Sequence, residues 1–159
     1  MTGRELSSAT THADHRSETL MPAVFFWEHT VREDEIDEQG HVNNLEYLKW
    51  MQMAAIAHST EQGWPPERYV EEGSAFVVRS HAIEYLAASF TGQSIVVETW
   101  VTSFQKITSL RKYLIRRPDD GALLARAETN WAYIGRKHGV PRRIPQELID
   151  SFEPASDHE

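Results

Sequence analysis

"DEQGHVNNLEYLKWMQMAAIAH", residues 37–58, changes character halfway. Up to Asn44 it carries two acids, a glycine, a histidine and two asparagines; from Leu45 it is largely apolar. Leu45, Leu48, Met51 and Ala55 recur at helical spacing, and Tyr47, Trp50 and Ala54 fill the adjoining face. The pattern predicts a helix from Leu45 to Ala57, buried on most sides because it is apolar on most sides. Asn43 or Asn44 can cap its start, and Gly63 followed by Trp64-Pro65-Pro66 ends it.

Strand patterns lie on either side of this helix. "AVFFWEHTVR" (23–32) is aromatic and β-branched and precedes it, with the acidic loop "EDEIDEQG" in between. After it come four strand candidates, at 75–86, 93–104, 106–117 and 122–135. The joints are short and one carries Asp120-Gly121, so neighbouring strands run antiparallel. "RRIPQELIDSF" closes with a short helical turn. The order predicts an α+β fold: one long central helix wrapped by a five-stranded antiparallel sheet. A single sheet leaves edges for a partner, so a homodimer or homotetramer is expected. Residues 1–22 read as a disordered N-terminal tail, 23–152 as the domain and 153–159 as a short C-terminal tail.

Composition narrows the function. With 159 residues, 40% of them hydrophobic, the chain suits one domain with a real core. No apolar run is long enough to span a bilayer, and the N-terminus lacks the apolar block of a secretory signal. There is no cysteine, hence no disulfide or thiol chemistry, which fits a cytoplasmic protein. A net charge of −8 argues against nucleic acid as the partner. The charge is uneven: Lys106–Arg143 holds ten Lys/Arg against three acids, leaving −15 for the rest. An anionic ligand suits that segment.

The polar half of the opening stretch has two readings. Asn43 and Asn44 are ordinary helix-start residues, and Asp37 lies in a run of acids (Glu33, Asp34, Glu35, Glu38) that reads as a solvated loop. Tyr47, Trp50 and Met51 read as core, His41 alone as packing or surface, and no metal-ligand spacing is present. The other reading is catalytic. The first turn of a helix presents free N–H groups and a partial positive charge, which stabilise an oxygen gaining negative charge. Gly40 permits a tight turn or close approach to a ligand. Asp37, just upstream, can supply the base or nucleophile of a hydrolase.

"DEQGHVNNLEYLKW" resembles the signature of hot-dog-fold acyl thioesterases. Similar groups are the 4-hydroxybenzoyl-CoA thioesterase-like family, the Tol–Pal-associated acyl-CoA thioesterases and the plant acyl-carrier-protein thioesterases, which share HVNN-x-x-Y. "IEYLAASFTGQSIVVETWV" (83–101) and "PDDGALLARAETNWAYIGRKHGVPRRIP" (118–145) resemble later strands of the same family and its Arg-x-Ile-Pro ending, so the likeness covers roughly 23–152. It implies a hot-dog thioesterase acting on acyl-CoA or acyl-carrier-protein thioesters, with no cofactor beyond the substrate's coenzyme A. It implies Asp37 as catalytic carboxylate, the Asn44 amide as oxyanion donor and His41 as assistant. Gly40, Asn43 and Tyr47 would line the site, which relatives complete across a dimer interface. Arg136, Lys137, Arg142 and Arg143 are the first candidates for the coenzyme's phosphates, with Lys106 and Arg111 second. Relatives carry Asp-x-Asp where this chain has Glu35-Ile36-Asp37. A hot-dog hydratase or dehydratase, or a non-catalytic acyl-CoA-binding domain, are the alternatives.

Overall fold

A computed structural model describes residues 23–154. The expected 1–22 tail and the last five residues of the chain lie outside the described residues. Five strands form one sheet: β1 (Phe25–Thr30), β2 (Ser74–Tyr85), β3 (Ser94–Phe104), β4 (Thr108–Arg117) and β5 (Ala122–Gly135). The sheet order is β1-β3-β4-β5-β2, and every neighbouring pair is antiparallel. The long helix α1 (Asn44–Glu61) crosses its concave face, with two short helices, α2 (Pro66–Glu71) and α3 (Gln146–Ser151), near its far end. This is the α+β, one-helix-in-a-sheet architecture expected. The sequence reading missed α2: Pro65-Pro66 stops one helix, but Pro at a first helical position also starts another.

Long strands can wrap a helix only if they bend. The pairing registers shift at three places, leaving Arg79, Thr102 and Leu124 as extra residues in β2, β3 and β5. Such bulges bend and over-twist a strand. The core beneath α1 joins Tyr47, Trp50, Met51 and Ala54 to Ile95, Val97, Tyr113, Ile115, Ala125 and Ala127. Burying a side chain of Met51's size contributes about 2 kcal/mol. The alanines on both surfaces let the helix backbone approach the sheet. A second cluster, including Trp64, Tyr133, Leu148 and Phe152, closes the far end.

The helix is not buried on most sides, contrary to its composition. Tyr47, Trp50, Met51, Ala54, Ala55 and His58 face inward, while Leu45 is 63%, Met53 52% and Ile56 52% exposed. One sheet covers only one face of a helix, so the apolar residues beyond that face stay in water within this chain.

Candidate active site

Asp37 sits on a closed loop pinned at both ends. The Asn43 N–H donates to the Glu35 carbonyl at 3.0 Å, and Ile36 and Val42 form an isolated antiparallel bridge between them. Inside the loop the Asp37 N–H donates to the His41 carbonyl at 2.9 Å and the Gly40 N–H to the Asp37 carbonyl at 3.1 Å. Gly40 turns the chain at φ +86°, a left-handed conformation that glycine adopts without strain. One Asp37 oxygen, Oδ1, accepts the Gln39 N–H at 2.8 Å. The other, Oδ2, lies 3.9 Å from His41 Nδ1, and both side chains are partly open to solvent.

The same loop delivers the helix start. Asn43 is the cap: its Oδ1 accepts the Leu45 N–H at 2.9 Å and its carbonyl the Glu46 N–H at 2.9 Å. Asn44 is the first helical residue, whose N–H has no partner within a helix. Two tyrosines buttress this end. The Tyr85 hydroxyl donates to the Asn44 carbonyl at 3.1 Å, and Tyr47, buried in the core, shares a hydrogen bond of 2.8 Å with Ser89 Oγ. Burial pushes the Tyr47 hydroxyl up, so it stays protonated. Ser89 also accepts the Val42 N–H on its carbonyl, and no signal in the sequence marks it, since it lies 42 residues from Tyr47.

The acidic run is not uniformly a solvated loop, as its pattern suggests. Glu35 is 2% exposed. Its Oε1 accepts from His29 Nε2 at 2.7 Å and from the Arg32 N–H at 2.8 Å, and its Oε2 from Trp50 Nε1 at 2.7 Å. Burial would raise its carboxyl, but the three hydrogen bonds outweigh that and hold it below the usual carboxylate range. Glu35 thus ties β1, the Asp37 loop and α1 together.

The basic candidates lie elsewhere. α1 begins at the end of the sheet where β2 finishes and β5 starts, beside Tyr85 and Ala125. Arg136, Lys137, Arg142 and Arg143 follow the opposite end of β5, at most roughly 30 Å away along the strand. There Arg136 donates to the Ser74 carbonyl and Arg142 to the Glu72 carbonyl. Within one chain they do not meet Asp37. Arg111 is not on the surface: it is 6% exposed, beneath α1.

A cavity of about 650 Å³ lies between the second half of α1, α2 and the middle of the sheet. Ile56, Ser59, Tyr69, Val77, Arg111 and Trp131 are among its walls, whereas Asp37, His41 and Asn44 are not. Among the described residues no group of three or more His, Asp or Glu is placed to hold a metal, and no helix is long and apolar enough to cross a membrane.

A strand-and-bulge sheet around one helix, with a carboxylate loop at the helix start, defines a class. Residues 31–152 match the model of the Thioesterase-like superfamily, and the chain belongs to that family. The fold is similar to a 1,4-dihydroxy-2-naphthoyl-CoA thioesterase from Synechocystis, with a TM-score of 0.75, 20% identity and coverage of 80% of this chain and 94% of that one. It is also similar to a Staphylococcus aureus protein solved in complex with CoA, with a TM-score of 0.75, 14% identity and coverage of 80% of each chain. A 12:0-ACP thioesterase from Umbellularia californica matches with a TM-score of 0.73 at 19% identity, over 84% of this chain and 52% of that one. At these identities the likenesses establish the hot-dog fold.

Proposed function

We propose that the protein is a thioester hydrolase that converts an acyl-CoA, or an acyl-carrier-protein thioester, to a carboxylic acid and a free thiol. The observation that carries this reading is the pinned loop, whose Glu35–Asn43 and Ile36–Val42 contacts tie the Asp37 turn to the start of α1, where the Asn44 amide has no intrahelical partner. A carboxylate whose Oδ2 is partly open to solvent and meets only the His41 imidazole, at 3.9 Å, can act as base on water or attack the thioester carbon. The Asn44 N–H, at the positive end of α1, stabilises the oxyanion. His41, on the same loop, orients Asp37 or the water. Gly40 and Asn43 shape the loop and cap, and Tyr47 holds the helix start through Ser89.

The assembly follows from two surfaces. β2 is an edge strand, and α1 leaves Met53 and Ile56 uncovered beside it. A homodimer, or a tetramer built from it, would bury both. Arg136, Lys137, Arg142 and Arg143 then hold the coenzyme's phosphates for the neighbouring protomer's Asp37, since they are remote from their own.

The test is thiol release from a panel of acyl-CoAs, from acetyl to palmitoyl with benzoyl and phenylacetyl esters added. Asp37→Ala and Asp37→Asn should fold and lose most hydrolysis, a fall on the order of 10²–10⁴ in kcat. Wild-type rates in purified Asp37→Ala would refute the assignment. Loss of enoyl absorbance without thiol release would identify a hydratase instead.

A further inference from the structure

Arg111 carries its charge with little to balance it: the Phe152 ring, 5.9 Å from the guanidinium carbon, offers a weak cation–π contact. It is sealed beneath α1, and among the described residues no carboxylate pairs with it. Nη1 donates to His58 Nδ1 at 2.9 Å and to Thr99 Oγ1 at 3.1 Å. Nε and Nη2 meet no acceptor among the described residues. Burial without an acid nearby pulls the guanidinium below its ordinary range. Buried charges are ordinarily paired, because taking an ion out of water is costly, and an apolar side chain of similar volume would pack the same space more cheaply. A buried cation with no acid beside it therefore points to an anion that arrives from outside.

The cavity beside it shows where. At about 650 Å³ it is of small-molecule size. Its walls are mostly apolar and aromatic, and its lining holds two cations, Arg111 and Arg136, and no carboxylate. Trp131 Nε1, on the same wall, is a sealed donor whose neighbour is the Tyr113 side chain, in a poorly formed hydrogen bond. An apolar chamber with one buried guanidinium suits a ligand with an apolar body and an anionic end.

The chamber also lies along the candidate active site's own helix. Asn44 and Gln52, the first α1 residue on the cavity wall, are about 12 Å apart at a helix's rise per residue, and Asn44 and Ser59, the last, about 22 Å. An acyl group whose carbonyl rests on the Asn44 amide can run along α1 into the chamber. We propose that the cavity binds an apolar chain terminated by a carboxylate, with Arg111 as its counter-charge, and that in catalysis this chain is the acyl group of an ω-carboxyacyl thioester. The catalytic half of this statement rests on the thioesterase reading; the binding half does not.

Thiol release from ω-carboxyacyl-CoA esters, succinyl to dodecanedioyl, is measured beside plain acyl esters of equal length. Wild type should favour the carboxylated ester by at least tenfold in kcat/KM at one or more lengths. Arg111→Met should collapse that ratio through KM, and Arg111→Lys should keep part of it. Separately, free sebacate and decanoate are titrated against the fluorescence of Trp64 and Trp131, which both line the cavity. If no thioester is cleaved but the free acids bind wild type and not Arg111→Met, the site stands with a free carboxylic acid as its ligand, and the thioesterase reading falls. If plain esters are cleaved as well as carboxylated ones at every length and neither free acid binds, the inference is overturned while the thioesterase reading survives. The wild-type ratio and the Lys variant decide the matter should Arg111→Met fail to fold.

Discussion

His58 offers a quantitative check on the layer beneath α1. It stacks on Phe25 at 5.2 Å, meets Phe152 edge-on at 5.1 Å, and accepts a hydrogen bond from Arg111 on Nδ1. Burial first, and the adjacent guanidinium second, lower its pKa to about 3. The unfolded chain therefore takes up a proton that the folded chain refuses. The His58 contribution is complete above the unfolded value of about 6.5 and is lost as pH falls toward 3, at about 1.4 kcal/mol per pH unit. Between pH 7 and 5 the loss is about 2 kcal/mol. His58→Gln keeps an acceptor near Arg111 but cannot titrate. Urea unfolding of both proteins at pH 7, 6 and 5, followed by tryptophan fluorescence, gives the two slopes. His81, whose pKa burial also lowers, is present in both proteins and cancels in the difference. Glu35 enters only below pH ~4.5. Parallel curves for wild type and His58→Gln would show that His58 is not held neutral by this environment, and the picture of a buried cation next to it with no acid nearby would fail.

Three further outcomes follow from the site. Glu35→Ala leaves the buried Trp50 indole N–H and the partly buried His29 and Arg32 donors without this acceptor and should cost about 2–4 kcal/mol in chemical denaturation. Because the Glu35 pKa is lowered in the fold, its contribution is present above pH ~4.5 and lost as pH falls further, so the difference between wild type and Glu35→Ala should shrink in acid. Asn43→Ala removes the cap of α1 and should cost about 1 kcal/mol, read as a fall in the denaturation midpoint. Gly40→Ala meets no steric clash but must hold φ at +86°; it should cost about 1 kcal/mol or more in stability. Its thiol-release rate should fall further than that of a surface control, because the strain displaces Asp37.

Local patterns carried most of the fold into view. The asparagine pair marks a capped helix start by residue type, though not which of the two is the cap, and the strand patterns and the Asp120-Gly121 turn mark the four long strands. What was illegible depends on partners distant in sequence. Glu35 looks like its neighbours Glu33 and Asp34 until Trp50 and His29 are seen to close over it. Ser89 has no motif at all. The bulges at Arg79, Thr102 and Leu124 leave no trace in the hydrophobic pattern, because an extra residue is visible only against its partner strand. Arg111 reads in sequence, with Lys106, as one more cation for an anionic ligand; its inward position on β4, beneath α1, shows only once the sheet is folded. The exposure of Met53 and Ile56 was misjudged for a related reason: hydropathy records that a face is apolar, and not whether the same chain covers it.

Glu35 has a consequence for anyone transplanting this loop. The contiguous stretch from Asp37 to Asn44 looks like a portable cassette. Its shape depends on a carboxylate two residues upstream, clamped by an imidazole from the first strand and an indole one and a half turns into the helix. Grafted without His29, Glu35 and Trp50, the octapeptide would keep its spelling and lose its posture. The heritable unit is a discontinuous one, three fragments spread over 22 residues from His29 to Trp50, and a recipient scaffold has to accept all three or none.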